Sequence, residues 1–177
     1  YTAQVDETNA PFVIRYPRGQ GVMPEWKTPM KKVKIGSGRR VVSGSDIAIL
    51  TFGHPGNFAL TAVEQLKKRG VSAALYDMRF VKPLDEVMLH EIFGKFDQVI
   101  TVEDGCVQGG FGSAVLEFMV DHGYKSQVIR LGIPDRIVEH GSQVQLWAEC
   151  GFDAEGIQKS VEKALSSKSG NKSNIAG

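Results

Sequence analysis

Short apolar runs alternate with longer amphipathic segments along most of this chain. The run "DIAILTF" at residues 46–52 is apolar at almost every position, which is typical of a strand covered on both faces. Residues 54–70 follow it with apolar side chains three apart, and this spacing predicts a helix that buries Leu60, Val63 and Leu66. Three further strands, each followed by a helix, are predicted at residues 71–80, 98–104 and 126–135.

Residues that satisfy free backbone groups mark the ends of these helices. Gly70 follows a basic last turn and predicts the end of the first helix, while Asp85 predicts the start of the second. Ser142 and Gln145 have the spacing of a capping box, which predicts a short helix, and Asp153 opens the last one.

Strands that alternate with helices predict an α/β fold. We expect a three-layer sandwich with a mostly parallel five-stranded sheet and helices on both faces. The basic segment 32–44 is interpreted as an edge hairpin, because lysines often protect sheet edges. A phosphate-binding patch is the alternative for that segment. The pattern does not fix the order of the strands.

The chain divides into four parts by composition. Residues 1–22 contain the short apolar strand "PFVIRY", which has no partner nearby and is interpreted as the tail of a preceding domain. Residues 23–35 are expected to form a linker and an edge strand, and residues 36–166 the α/β domain. Residues 167–177 are polar and predict a disordered tail.

Composition excludes several classes of function. The 177 residues carry a net charge of +1, so no overall field attracts nucleic acid, and no apolar run is long enough to span a membrane. The two cysteines, Cys106 and Cys150, lack the spacing of a metal site. We therefore expect a reduced, cytoplasmic protein that contacts neither nucleic acid nor membrane.

Polar residues gather in the loops that follow the strands, where α/β sheets bind ligands. The side chains placed at this carboxyl edge are His54, Arg79, Lys82, Glu103, Asp104, Asp135, Arg136 and His140. The two histidines are interpreted as hydrogen-bonding or interface residues rather than catalysts. Arg79 and Lys82 share a loop with Asp85 and are expected to pair with carboxylates.

The glycines at 109–112, "GGFG", precede a helix and could cradle a phosphate. They lack a dinucleotide fingerprint, so a tight turn and close packing are the favoured interpretation. Cys106 lies ahead of the same helix, but the spacing assigns no base to it. The sequence shows no Ser–His–Asp pattern and no metal-ligand cluster, so we expect no catalytic or metal-binding residue here.

Six stretches in order resemble one family: "IRYPRG", "DIAILTFG", "DMRFVKPLD", "ITVEDGCVQGGFGSAVLEF", "LGIPDRIVEHGSQ" and "ECGFDAEGI". Between about residues 11 and 165 the chain resembles the C-terminal part of the 1-deoxy-D-xylulose-5-phosphate synthases, thiamine-diphosphate enzymes of the transketolase group. The resemblance implies a transketolase C-terminal domain-like fold.

The resemblance also implies an activity for a longer protein. Enzymes of this family are homodimers that condense pyruvate with D-glyceraldehyde 3-phosphate, and their product feeds isoprenoid, thiamine and pyridoxal synthesis. In the family the arginine after proline in "RYPRG" contacts the substrate phosphate, which implies that role for Arg18 and a structural one for Arg15. The segments that hold thiamine diphosphate and Mg²⁺ belong to diphosphate- and pyrimidine-binding domains and are absent here. The chain alone is therefore expected to bind no cofactor and to be inactive.

Two alternatives remain open at this stage. The chain could be a stand-alone anion-binding or regulatory module that uses the "GGFG" helix start, or a domain from the β-subunit of a 2-oxoacid dehydrogenase.

Overall fold

The computed structural model describes residues 1–5, 11–19, 21, 27 and 29–172. In chain order the elements are α1 (Thr2–Val5), β1 (Arg39–Val42), β2 (Ile47–Phe52), α2 (Pro55–Lys68), β3 (Ala73–Asp77), α3 (Glu86–Lys95), β4 (Gln98–Cys106), α4 (Phe111–Asp121), β5 (Gln127–Ile133), α5 (Gln143–Glu149) and α6 (Ala154–Lys172).

The five strands form one sheet in the order β1-β3-β2-β4-β5. Strands β2 to β5 are parallel to their neighbours, and only β1 runs antiparallel, beside β3. The mostly parallel five-stranded sheet predicted from the sequence is therefore confirmed. Its carboxyl edge collects the loops after β2, β3, β4 and β5, as the predicted placement of the polar residues requires.

Alternate side chains of the strands pack on opposite faces of the sheet. On one face Ile49 lies in a core cluster with Leu66 of α2 and Val161 of α6. On the other face Leu50 lies in a second cluster with residues of α3 and α4, including Leu89 and Val115. Helices therefore cover both faces, and the three-layer architecture follows.

Side-chain caps hold the helix starts that the sequence marked. The Asp85 carboxylate accepts hydrogen bonds from Met88 N at 3.0 Å and from Gly38 N at 2.8 Å. Ser142 and Gln145 form the predicted capping box at the start of α5. Asp153 accepts a hydrogen bond from Gly156 N at 2.8 Å in the first turn of α6.

The predicted edge hairpin is wrong. Residues 29–38 contain no strand, and only Arg39–Val42 joins the sheet, outside the expected range 23–35. A turn does lie here, with Ser37 N donating to Lys34 O and Gly36 at a φ of +73° that favours glycine, but the described residues before it form no strand to pair with β1, which pairs with β3 instead. Residues 23–26 and 28 of the expected linker lie outside the described residues.

The inner face of α2 also differs from the prediction. Val63 and Leu66 are buried as expected, but Leu60 is 38% exposed. Ala59 takes the inner position one residue earlier, because the stripe that faces the sheet runs through residues 59, 62, 63 and 66.

Both ends of the described chain depart from expectation. Residues 11–17 form no strand, because no neighbouring strand of the described chain pairs with them. At the other end α6 continues to Lys172, so residues 167–172 are helical rather than disordered, and the Ser167 hydroxyl donates to Ala164 O. Residues 173–177 lie outside the described part.

The cap at Asp85 leads to a stability prediction. Asp85→Ala is expected to lower the free energy of unfolding by about 2 kcal/mol, since losing an N-cap costs about 1 kcal/mol and the Gly38 N–H loses its acceptor at a similar cost. Chemical denaturation measures the change. Asp121→Ala, an exposed acidic residue at the end of α4, is the control and should cost little or nothing. Equal stability of Asp85→Ala and the parent would contradict the cap's importance.

Candidate functional site

A cleft of about 1050 Å³ opens between the carboxyl edge of the sheet and residues 11–19, which we call the N-terminal arm. The predicted edge residues that line it are His54, Arg79, Lys82, Glu103 and Asp104, and the arm contributes Arg15 and Arg18. Asp135, Arg136 and His140 do not line it. Arg136 instead pairs with Glu149 of α5 at 2.8 Å, and His140 is exposed on the loop after β5.

Glu103 lies on β4 and lines the cleft next to the first turn of α4. Its buried carboxylate accepts hydrogen bonds from Phe111 N and Gly112 N, each at 2.8 Å. Free N–H groups and the helix dipole favour negative charge at this position. The "GGFG" helix start therefore already faces a carboxylate of its own chain, so the alternative of an anion sensor at this place gains no support from the structure.

Two glycines of this turn are explained by close packing and Gly109 by a tight turn with a φ of +71°, as the favoured interpretation expected. A side chain at Gly110 would collide with Glu103, and one at Gly112 would collide with the Thr101 hydroxyl. Cys106 is exposed at the end of β4, and its thiol has no hydrogen-bond partner in the described part of the chain. The structure therefore gives no support to a nucleophile at Cys106.

His54 is a packing residue at the back of the cleft. Its ring lies against Phe58 and Trp147, with centroids 5.6 and 5.2 Å away, and its Nε2 is buried without a partner. Nδ1 is 3.6 Å from the Asp104 carboxylate. Burial lowers the pKa of His54; Asp104 partly opposes this effect and the Arg15 guanidinium adds to it. The neutral ring is therefore favoured, which fits packing better than proton transfer to a ligand.

The N-terminal arm is fixed to the domain by two long-range hydrogen bonds. Arg15 Nη2 donates to the carbonyl oxygen of Asp104 at 2.6 Å. Gln143 Nε2 donates to the carbonyl oxygen of Arg18, also at 2.6 Å. The ring of Phe12 also meets Phe80 edge to face, with centroids 6.4 Å apart. These contacts hold the arm over the cleft mouth.

Besides Arg15, which binds a backbone carbonyl, three cationic side chains line the cleft without an ion pair among the described residues: Arg18, Arg79 and Lys82. Arg79 and Lys82 were expected to pair with neighbouring carboxylates, but the described residues show no such ion pair, and Asp85 caps α3. Arg79 has a φ of +57°, which is uncommon for a residue with a side chain, and its N–H donates to Asp77 Oδ1 at 3.2 Å. The cleft therefore presents cationic side chains beside a buried carboxylate that accepts backbone hydrogen bonds.

Sequence reasoning gave Gln143 no role at this site. Its partner Arg18 is 125 residues away, and a glutamine at the start of a helix carries no signal for such a contact. Only the folded arrangement reveals it.

The cleft does not fit the Mg²⁺ and diphosphate that the resemblance implies for the longer enzyme. Within residues that the structure describes, no group of three or more His, Cys, Asp or Glu side chains could hold a metal ion. The backbone cradle at α4 is filled by Glu103. Among the helices described, none combines the length and apolar character that crossing a bilayer requires.

A family model described as "Transketolase, C-terminal domain" matches residues 36–157. This chain belongs to that family. The transketolase C-terminal domain formed here has the predicted fold.

Named relatives of this transketolase C-terminal domain are 1-deoxy-D-xylulose-5-phosphate synthases. That of Cytophaga hutchinsonii is 61% identical over 91% of this chain, and that of Aquifex aeolicus is 48% identical over 88%. The chain spans about a quarter of the length of these relatives, 25% and 24% respectively.

A solved structure described as "Split gene transketolase, inactive beta4 tetramer" shares the fold with a TM-score of 0.72 and 30% identity. The similarity covers 77% of this chain and 44% of that one.

The buried Glu103 carboxylate predicts a large effect of a small change. Glu103→Gln is expected to lower the free energy of unfolding by about 2 kcal/mol, because one of two charge-assisted hydrogen bonds is replaced by two facing N–H groups. Chemical denaturation measures the loss. Glu117→Gln, at an exposed residue of α4, is the matched control, and its free energy of unfolding should stay within about 0.5 kcal/mol of the parent's. If both variants match the parent, Glu103 does not stabilise the helix start.

His54 predicts a pH dependence of stability. Its folded pKa lies below the ordinary value of 6.5, so the unfolded chain binds more protons and stability falls as pH drops below about 6.5 toward the folded pKa. His54→Phe keeps an aromatic ring, and no side-chain cap bond is lost. The stability difference between parent and variant should be constant above about pH 6.5 and shift against the parent below it. Denaturation at several pH values measures this difference.

His140→Phe controls for losing a histidine from an exposed loop. The same pH profile for parent and His54→Phe would contradict the assigned cause.

Proposed function

We propose that this chain is the C-terminal domain of a thiamine-diphosphate-dependent synthase that condenses pyruvate with D-glyceraldehyde 3-phosphate to 1-deoxy-D-xylulose 5-phosphate. The observation that carries the proposal is the 61% identity to the synthase of Cytophaga hutchinsonii over nearly the whole chain. The relatives carry synthase names, so the alternative of a 2-oxoacid dehydrogenase subunit gains no support from them.

Within that enzyme, Arg18 binds the phosphate of the aldehyde substrate. Arg18 is exposed and lines the cleft, and its guanidinium has no partner in the part of the chain that is described. A guanidinium offers a planar fork of N–H donors that matches phosphate oxygens and stays charged at any working pH. The guanidinium of Arg15, in contrast, donates a hydrogen bond to the Asp104 carbonyl, which supports a structural role.

The remaining charges of the cleft support an anionic ligand. Arg79 and Lys82 line the same cleft as Arg18. Three acidic residues also line the cleft: Asp77, whose carboxylate pairs with Arg39, Glu103, which faces backbone N–H groups, and Asp104, which faces His54. A phosphorylated substrate therefore meets cations, whose attraction raises its local concentration.

The reaction's cofactor chemistry belongs to other parts of the enzyme in this proposal. Thiamine diphosphate supplies the carbanion chemistry when bound, and the domains that hold it with Mg²⁺ are those that make up the rest of the relatives' length. The chain alone is then inactive, and the full enzyme is a cytoplasmic homodimer. The similar split-gene transketolase, described as an inactive tetramer of one chain type, supports inactivity of a separated part.

The role of Arg18 is tested in a chimera in which this chain replaces the matching quarter of the Cytophaga hutchinsonii synthase. Arg18→Ala is expected to raise KM for D-glyceraldehyde 3-phosphate at least about tenfold, because hydrogen bonds to charged groups contribute about 1.5–3 kcal/mol. KM for pyruvate should change little. Steady-state kinetics with each substrate varied in turn gives both values.

Arg69→Ala is the matched control, since Arg69 lies far along the chain at the end of α2 and pairs with Glu162 of α6. Its KM values should equal those of the parent chimera. An unchanged KM for the aldehyde in Arg18→Ala would refute the phosphate contact, and an inactive parent chimera would refute the proposed reaction.

A further inference from the structure

The carboxamide of Gln143 hydrogen-bonds the peptide group between Arg18 and Gly19. Its Nε2 donates to Arg18 O at 2.6 Å. Its Oε1 lies only 3.0 Å from where a side-chain carbon at Gly19 would stand, and Gly19 has a φ of +125° that favours glycine. The glutamine therefore hydrogen-bonds the Arg18 carbonyl and occupies the space beside Gly19.

The Gln143 side chain extends from a well-anchored helix. It is the first residue of α5, directly after Ser142, whose capping box with Gln145 holds the helix start. The other end of α5 is tied to the preceding loop by the ion pair between Glu149 and Arg136. In the middle, Trp147 packs on Phe58 of α2 at a centroid distance of 4.9 Å. Because these contacts fix α5, the Gln143 side chain reaches the arm from a defined position.

The arm has one other hydrogen-bonded tether near Arg18. This tether is Arg15, three residues before Arg18, whose guanidinium donates to the Asp104 carbonyl. Between the two tethers lie only Tyr16 and Pro17, and proline has a fixed φ. Removing the Gln143 contact would free the backbone of Arg18 while leaving the rest of the arm attached.

We propose that Gln143 is a positioning residue for Arg18, holding its backbone so that the guanidinium faces the cleft before substrate arrives. This inference rests on the proposed phosphate contact of Arg18. A residue held in its binding conformation loses less entropy when the ligand binds, so the Gln143 contact raises affinity without touching the ligand. Loss of one neutral hydrogen bond, about 0.5–1.5 kcal/mol, corresponds to a two- to tenfold weaker phosphate contact.

The test uses the same chimera and the substitution Gln143→Met, which keeps the length of the side chain and removes its donor. We expect KM for D-glyceraldehyde 3-phosphate to rise about two- to tenfold, with kcat and KM for pyruvate unchanged. Gln108→Met, at an exposed glutamine before α4, is the matched control and should leave all three values unchanged.

A double-mutant cycle separates positioning from a general structural effect. If Gln143 acts through Arg18, then Gln143→Met should have no further effect on KM when Arg18 is already alanine. An equal rise in both backgrounds would overturn the inference, because the glutamine would then act by another route.

Limited trypsin digestion gives a readout that does not depend on the enzyme's function. Cleavage after Arg18, followed by mass spectrometry, should be faster in Gln143→Met than in the parent chimera, since a released backbone fits the protease better. Unchanged cleavage or an unchanged KM for the aldehyde would each overturn the positioning role. Failure of the proposed function has a different signature, namely an Arg18→Ala variant whose KM for the aldehyde equals that of the parent.

Discussion

The buried carboxylate of Glu103 is the contact on which the cleft depends. It ends the buried part of β4, accepts two N–H groups from the first turn of α4, and so fixes the turn between them. The next residue, Asp104, presents its carbonyl to Arg15 and its carboxylate to His54. The attachment of the N-terminal arm is thereby linked to the packing of a helix on the central sheet.

Charge is divided in the cleft according to solvent exposure. The acidic groups at its base face donors of the same chain, while Arg18, Arg79 and Lys82 line the space without ion pairs in the described region. The Glu103 carboxylate thus occupies the N–H groups at the start of α4, where an anion could otherwise bind. The guanidinium and ammonium groups of Arg18, Arg79 and Lys82 line the cleft and can bind an anion there. This division explains why the proposed phosphate contact belongs to the arm rather than to the glycine-rich turn.

Local rules predicted most of the fold and part of the site. The buried strands, the caps at Asp85 and Ser142, and the edge that carries His54, Glu103 and Asp104 all follow from period and from short-range hydrogen bonding. The contact of the Glu103 carboxylate with the start of α4 was missed, because its partner Phe111 lies eight positions further along the chain, beyond the end of β4. The contact of Gln143 with Arg18 was also missed, because only tertiary folding brings such distant residues together.

The arm that carries Arg18 also carries apolar side chains in water. Val13 is 90% exposed, Ile14 66% and Tyr16 82%. Neighbouring apolar side chains of this size attract any similar surface, and the attraction grows with protein concentration. Wherever the arm has no cover, these three residues set a limit on solubility, so purification at low concentration suits a form of the protein that consists of this chain alone.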